Sequence, residues 1–392
     1  MHRKFRERFS AIAVQSLLLL LFAWMPAPYA QETAYSYFSV GDPGAAIARL
    51  DRKAKSSMVL MGGGPDVDQA FRWMIGQAGI EPGKGGRFVV LRASGSSGYN
   101  PYIYYSGPER QVEGPVARGW VGGAALGLSS VETLVIPSRA AANNPFVNDI
   151  VRHASAVFIA GGDQSRYIRF WKGTALDRTL MELANDNVPI GGTSAGLAIL
   201  GEYSFAALQG GIDSAAALAD PFDPRITIDP DPRDSTKSFL APAPMVGVLT
   251  DSHFDQRKRM GRLIAFLARL GGTEGAAGCS VGAPEVHADT ATSIRGIGVS
   301  EQTALLVESA PDSRDFIARR VRNPWSDNEG AVYFVRPLVP PRECGAGVPL
   351  TIDQIEIRKL SDSKAVFNLS AWSGIEAYMV NVEGGQFDRS PY

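Results

Sequence analysis

Residue types that build metal centres are scarce in this chain. It holds two cysteines, Cys279 and Cys344, and four histidines among 392 residues. No cluster with zinc-ligand spacing can be drawn from them, so no metal is expected. Charge of one sign is also missing: 39 lysines and arginines face 40 aspartates and glutamates, a formal net charge of −1. Without a basic stripe, nucleic acid is not the expected partner. Beyond the first thirty residues no apolar run approaches membrane-spanning length. The two cysteines either pair across a long loop in an oxidising compartment or stay as separate buried thiols. Pairing would be worth up to roughly 4 kcal/mol on the chain-entropy model, and the sequence leaves both states open.

What is present begins with a targeting pattern. Arg3, Lys4, Arg6 and Arg8 precede an apolar stretch from Ala11 to Trp24, and the small residues Ala27 and Ala30 follow. Residues 1–30 read as a secretory signal peptide cleaved near Ala30, although Pro28 sits where a small residue is preferred. The expectation is an exported protein, periplasmic or extracellular, with no membrane association after cleavage.

From residue 45 to 312 short apolar runs alternate with helical stretches. Met58–Met61, Arg87–Leu91, Val131–Ile136, Ala156–Ala160 and Val188–Gly191 read as strands. Their continuous apolar character predicts a parallel sheet covered on both faces, hence a doubly wound α/β core. Such sheets carry their sites at the carboxyl ends of strands. The Gly62-Gly63-Gly64 and Gly161-Gly162-Asp163-Gln164 turns fall at such ends. The glycine triplet lacks both dinucleotide spacing and a phosphate-loop lysine, so it predicts a tight turn beneath a site and no organic cofactor. The segment from Asp220 to Pro244 is proline-rich and is expected as a surface loop near the cleft mouth, with Arg225–Ile228 a possible strand. Residues 313–392 lose helical patterning and predict a small β-rich C-terminal appendage.

The chemistry concentrates in two places. Gly192-Thr193-Ser194-Ala195-Gly196 is a G-x-S-x-G turn between a strand and a helix, the pattern of a nucleophile elbow. The turn is too tight for flanking side chains, which strains and exposes Ser194. The Ala195 N–H then becomes a candidate oxyanion donor. Downstream, a predicted strand delivers Asp251-Ser252-His253-Phe254, and a helix is expected from Asp255 to Leu270. Arg257, Lys258 and Arg259 crowd its first turn, with Arg262 one step on, against the helix dipole. Compensation comes from Asp251 and Asp255 or from a substrate carboxylate. His253 sits at a strand end beside a charged cluster, unlike His153 and His287, and is the natural base for a serine nucleophile.

Read in order, Gly161-Gly162-Asp163-Gln164, the elbow, and Asp251-x-His253-Phe254-x-x-Arg257-x-Arg259-x-x-Arg262-Leu263 resemble the cyanophycinase family of serine exopeptidases, relatives of the α-aspartyl dipeptidase peptidase E. The stretch Gly296-Ile297-Gly298-Val299-Ser300-Glu301-Gln302-Thr303-Ala304-Leu305 is similar to that family's downstream segment. The resemblance spans roughly Met58 to Val307. It implies a fold like class I glutamine amidotransferases, with Ser194 as nucleophile and His253 as base. It also implies Gly162 as a second oxyanion donor, and Gln164, Asp251, Arg257, Arg259 and Arg262 around the substrate. The family's third triad member, a glutamate, is expected a turn or two beyond the helix after the serine. That region, residues 209–218, holds alanines; Asp213 is the nearest carboxylate and Glu202 the alternative. Ser252 replaces a common glutamine, and the segment from Ser194 to His253 is longer than in compact relatives.

The function these features imply is an exported serine exopeptidase cleaving aspartyl or β-aspartyl peptides through an acyl-enzyme. Its expected partner is an acidic or aspartyl-containing peptide, and a homodimer fits domains of this kind. Two other readings follow from the same residues. One is a cyanophycinase-like binding protein weakened by loss of the acid, and the other a general α/β serine esterase.

Overall fold

The structure, a computed structural model, describes residues 35–45, 56–106, 119–231, 237–271, 279 and 294–392. The expected signal peptide and His287 lie outside the described residues. The first half of the fold supplies strands β1 (Ser36–Gly41), β2 (Ser57–Met61), β3 (Arg87–Arg92), β4 (Ser130–Val135), β5 (Ala156–Ile159) and β6 (Ile190–Thr193). Between them lie helices α1 (Asp68–Gln77), α2 (Tyr99–Tyr104), α3 (Arg139–Ala142), α4 (Pro145–Arg152), α5 (Gln164–Trp171) and α6 (Ala175–Asn185). After the elbow come α7 (Ala195–Ala198), β7 (Ser204–Phe205), α8 (Ser214–Ala219), β8 (Ile228–Asp229), β9 (Val248–Asp251), α9 (Met260–Leu270), β10 (Arg295–Val299) and β11 (Thr303–Ser309). The remainder is β12 (Phe316–Arg322), β13 (Val332–Pro337), β14 (Glu343–Gly345), β15 (Val348–Leu360), β16 (Phe367–Asn368), β17 (Ala377–Glu383) and β18 (Gln386–Phe387).

Strands β4-β3-β5-β6-β2 lie side by side and all pair in parallel. Their side chains alternate between two cores, as the pleat requires. On β2, Met58 and Leu60 join the core beneath α4 and α6, whereas Val59 and Met61 join the core beneath α1. Both faces are therefore covered by helices, and the expected doubly wound α/β class is the observed one. Antiparallel β1 closes one edge on β4, and antiparallel β11 continues the sheet from β2.

Residues 313–392 complete both sheets. β12 and β16 prolong the main sheet beyond β11, and β13, β15, β17 and β18 build outward from the parallel pair β9–β10. Helix α9 packs Leu263, Phe266 and Leu267 into the core of this second sheet, beside Ile352, Ile355 and Ile357 of β15. Cys279 and Cys344 are joined in a disulfide across a separation of 65 residues. A loop of that length is worth about 4 kcal/mol on the chain-entropy model.

Two expectations need correction. The segment from Asp220 to Pro244 is not a surface loop throughout, because Ile226, Ile228, Phe239, Leu240 and Pro244 are buried. Its apolar residues outweigh its prolines, and Ile228–Asp229 pairs with β7. The helix expected from Asp255 begins instead at Met260. Residues 254–259 form turns in which Lys258 takes a left-handed φ of 49° and the Arg259 N–H donates to the Phe254 carbonyl at 2.8 Å. Arg257 and Lys258 thus precede the helix, while Arg259 at its N-cap and Arg262 in its first turn are compensated by Asp251.

Candidate active site

Three parallel strands end at one place. β5 runs into Gly161-Gly162, β6 into Ser194, and its neighbour β2 into Gly62-Gly63-Gly64. Ser194 has φ 53° and ψ −114°, a conformation that L-residues seldom adopt. The glycines on either side make it possible. A Cβ on Gly196 would lie 2.0 Å from the Ile159 carbonyl oxygen, and one on Gly192 would lie 2.6 Å from the Gly196 carbonyl carbon. The Ser194 N–H donates to the Met61 carbonyl at 3.1 Å, and the Ser194 carbonyl accepts from Ala198 at 3.0 Å. Such strain persists only where the surrounding structure over-determines it. Ser194 is half-buried with its hydroxyl turned toward β9 and β10.

The second sheet brings the base. β9 and β10 pair in parallel with Asp251 opposite Gly298. The residues just past each strand end, His253 and Glu301, therefore emerge side by side. Ser194 Oγ lies 2.7 Å from His253 Nε2. On the other side of the ring, His253 Nδ1 is hydrogen-bonded to Glu301 Oε1. Gly63 passes so close to the imidazole that a Cβ would lie 2.4 Å from Cε1 and 2.6 Å from Nε2. The His253 N–H is fixed to the Gly62 carbonyl at 2.7 Å.

The carboxylate on the histidine is Glu301, which sequence reasoning did not assign; Asp213 and Glu202 are engaged elsewhere. Asp213 caps α8 by accepting the Ala216 N–H at 2.8 Å. Glu202 accepts the Gly247 N–H at 2.5 Å. Cap chemistry explains Asp213, since short polar side chains at a helix start satisfy orphan N–H groups. A signal for Glu301 was present in the Gly296–Leu305 segment, where a glutamate ends an apolar strand.

Electrostatically the site favours a neutral ring. Burial lowers the His253 pKa; the Glu301 hydrogen bond raises it and the Arg257 and Arg259 charges lower it again, leaving it below the ordinary 6.5. A neutral imidazole that accepts at Nε2 suits a general base.

The five residues assigned to the substrate divide. Asp251 and Arg262 are 2% and 4% exposed. Arg262 Nε and Nη2 donate to the two Asp251 oxygens at 2.7 and 2.5 Å, and Nη1 donates to the Ile212 carbonyl at 3.2 Å. Burial pushes the Asp251 pKa up, but the neighbouring Arg262 and Arg259 outweigh it and hold the carboxyl below its usual range. This bidentate pair is occupied with itself and acts as a pillar under the Asp251–His253 turn. Arg259 is also committed, donating to the Ser252 carbonyl at 2.8 Å and to Asp251 at 3.3 Å. Gln164, in the first turn of α5, donates to the Phe205 carbonyl at 3.4 Å. Arg257 alone of the three arginines keeps a largely exposed side chain, 54%, with Nε 3.9 Å from Glu301. Gly162 is exposed, while a Cβ on its neighbour Gly161 would lie 3.3 Å from Ser194 Cβ. The expected oxyanion donors, Gly162 and Ala195, thus flank the serine on adjacent strand ends.

Fold and site together define the class: a doubly wound α/β protein with a Ser–His–Glu triad at a nucleophile elbow. Within that class the chain is similar to the cyanophycinase-like serine peptidases of family S51. The family model described as Peptidase family S51 matches residues 124–216, which include the elbow. Cyanophycinases of Trichormus variabilis and of a Nostoc species are each 28% identical over 247 residues, 60% of this chain. The match spans 64% of each of those proteins, less than two thirds of their length. A solved peptidase from an acI-B1 Actinobacterium aligns over 81% of this chain and 98% of its own, at 15% identity and TM-score 0.43.

Proposed function

We propose that this protein is an exported serine exopeptidase that hydrolyses aspartyl or β-aspartyl peptide bonds through an acyl-enzyme. One observation carries the reading: Ser194 Oγ within 2.7 Å of His253 Nε2, with Glu301 on the opposite ring nitrogen. Ser194 attacks the scissile carbonyl as His253 takes the hydroxyl proton. Glu301 holds the ring in the tautomer that leaves Nε2 free and offsets the charge of the imidazolium that forms. The N–H groups of Ala195 and Gly162 receive the oxyanion. His253 returns the proton to the leaving amine, and water then attacks the acyl-enzyme with the same ring as base.

The similarity to cyanophycinases and the exposed Arg257 beside the triad support an acidic, aspartyl-derived substrate. The order of basic, apolar and small residues in positions 1–30 supports export. The alternative of a disabled binding protein loses its motive once Glu301 occupies the third position. The test incubates the protein with cyanophycin, quantifies release of β-Asp-Arg, and runs Ser194→Ala in parallel. Release by the native protein alone is expected. Hydrolysis of a simple aryl ester with no cleavage of any aspartyl peptide would instead favour the esterase reading.

A further inference from the structure

The residues from 313 onward hold no triad member, yet they are bonded to the turn that carries one. β12 ends at Arg322, and the next residue, Asn323, makes three contacts. Its N–H donates to the Gln302 carbonyl at 2.8 Å, and its Nδ2 donates to the Asp66 carbonyl at 3.3 Å. Its Oδ1 accepts the Trp325 N–H at 3.0 Å, which fixes the orientation of the amide. Gln302 follows Glu301 directly, and its own N–H donates to the Gly63 carbonyl at 2.8 Å. Gly63 is the residue against the His253 ring. Asn323 therefore spans two turns, one bearing the triad acid and one packed on the base. The same segment grips the acid's turn again. The Ser300 N–H donates to the Ala331 carbonyl at 3.0 Å, and within the segment itself Arg320 Nη1 donates to the Gly330 carbonyl next to it at 2.7 Å.

From this geometry we infer that Asn323 is a positioning residue for the triad, clamping the Glu301 turn onto the Gly62–Asp66 turn so that the carboxylate stays on His253 Nδ1. The inference rests on the reading of Ser194, His253 and Glu301 as the reacting triad. The C-terminal segment is then a working part of the site, because a glutamate on an unsupported turn would wander from the ring. Geometric slack of about an ångström in such a support costs on the order of a hundredfold in rate.

The test reads the ring itself. The charged or hydrogen-bonding groups acting on His253 are Glu301, Arg257, Arg259 and Ser194, and of these the Glu301 bond raises its pKa. In Asn323→Ala that bond loosens, so the His253 midpoint, followed by NMR of histidine-labelled full chain, is expected to fall by roughly half a unit or more. Labelling of Ser194 by a fluorophosphonate is expected to slow about tenfold or more. Asn323→Ser keeps an acceptor for the Trp325 N–H but does not reach Asp66; it is expected to behave likewise and carries the test if the alanine variant fails to fold. A folded variant with the native midpoint and native labelling rate, changed only in its unfolding temperature, overturns the positioning role. If the native protein resists the fluorophosphonate, the hydrolase reading fails, while the ring titration still decides on Asn323.

Discussion

Replacing Glu301 by glutamine preserves its shape and removes its charge. The amide at that position can present its NH₂ to Nδ1, which stabilises the tautomer carrying the proton on Nε2 and disables the base toward Ser194. In fully buried triads this change costs about ten-thousandfold in turnover. The Glu301 side chain is 24% exposed, and Arg257 lies 3.9 Å away. Water and that guanidinium already share its charge, so the loss is expected to be smaller, about a hundred- to a thousandfold. That corresponds to roughly 3–4 kcal/mol in the barrier. The assay is the pseudo-first-order rate of fluorophosphonate labelling, followed by turnover of β-aspartyl peptide at saturating substrate. Asp213→Asn and Glu202→Gln serve as comparisons and should leave both rates unchanged, since those carboxylates accept backbone N–H groups of Ala216 and Gly247 away from His253. Native-like rates in Glu301→Gln together with a large loss in Asp213→Asn would refute the assignment and restore the sequence-based candidate.

The pH dependence follows from the lowered His253 pKa. The neutral ring is the base, so activity should rise with pH through a midpoint below 6.5 and be full above it. Stability runs the same way, because the folded state resists protonating a ring that the unfolded chain protonates readily. This contribution is lost as pH falls below the unfolded value. The arginines should separate cleanly. Arg257→Gln is expected to raise KM with little change in unfolding temperature, whereas Arg262→Gln leaves the buried Asp251 carboxylate with only Arg259 and the Ser252 N–H among its described partners and should destabilise the fold by about 2–4 kcal/mol. Equal effects of the two on KM would contradict their different burial. Gly63→Ala drives a methyl group into the imidazole from a position with φ 94°. Labelling of Ser194 should fall by at least about a hundredfold while circular dichroism stays native; native labelling would show that the ring tolerates displacement.

Much of the frame was legible locally. β2, β3, β4 and β5 each announce themselves as apolar runs of strand length between turn residues, and the parallel class follows from their two-sided burial. The elbow was legible as a short G-x-S-x-G pattern: Gly192 answers to the local Gly196, although Gly196 itself answers to Ile159 on the neighbouring strand. The start of α9 was not, since nothing in the charges of Arg257 and Lys258 reveals the left-handed φ at Lys258 that keeps residues 254–259 in turns. The proline-rich segment misled for a related reason. Proline reports on backbone regularity and says little of burial, which Phe239 and Leu240 gain only from the core they meet.

The amino-acid sequence by itself determined the layered α/β class, the candidate nucleophile and base, and the resemblance, because each rests on periodicity or on a turn a few residues long. The tertiary structure alone decided which carboxylate meets His253, the disulfide and the place of residues 313–392 in both sheets. Glu301 stands 48 residues from His253 and reaches it only because β9 and β10 pair in parallel with Asp251 opposite Gly298. Register between strands that far apart is set by which apolar side chains each buries in the cores on the two faces of the second sheet, and no window of sequence contains that information.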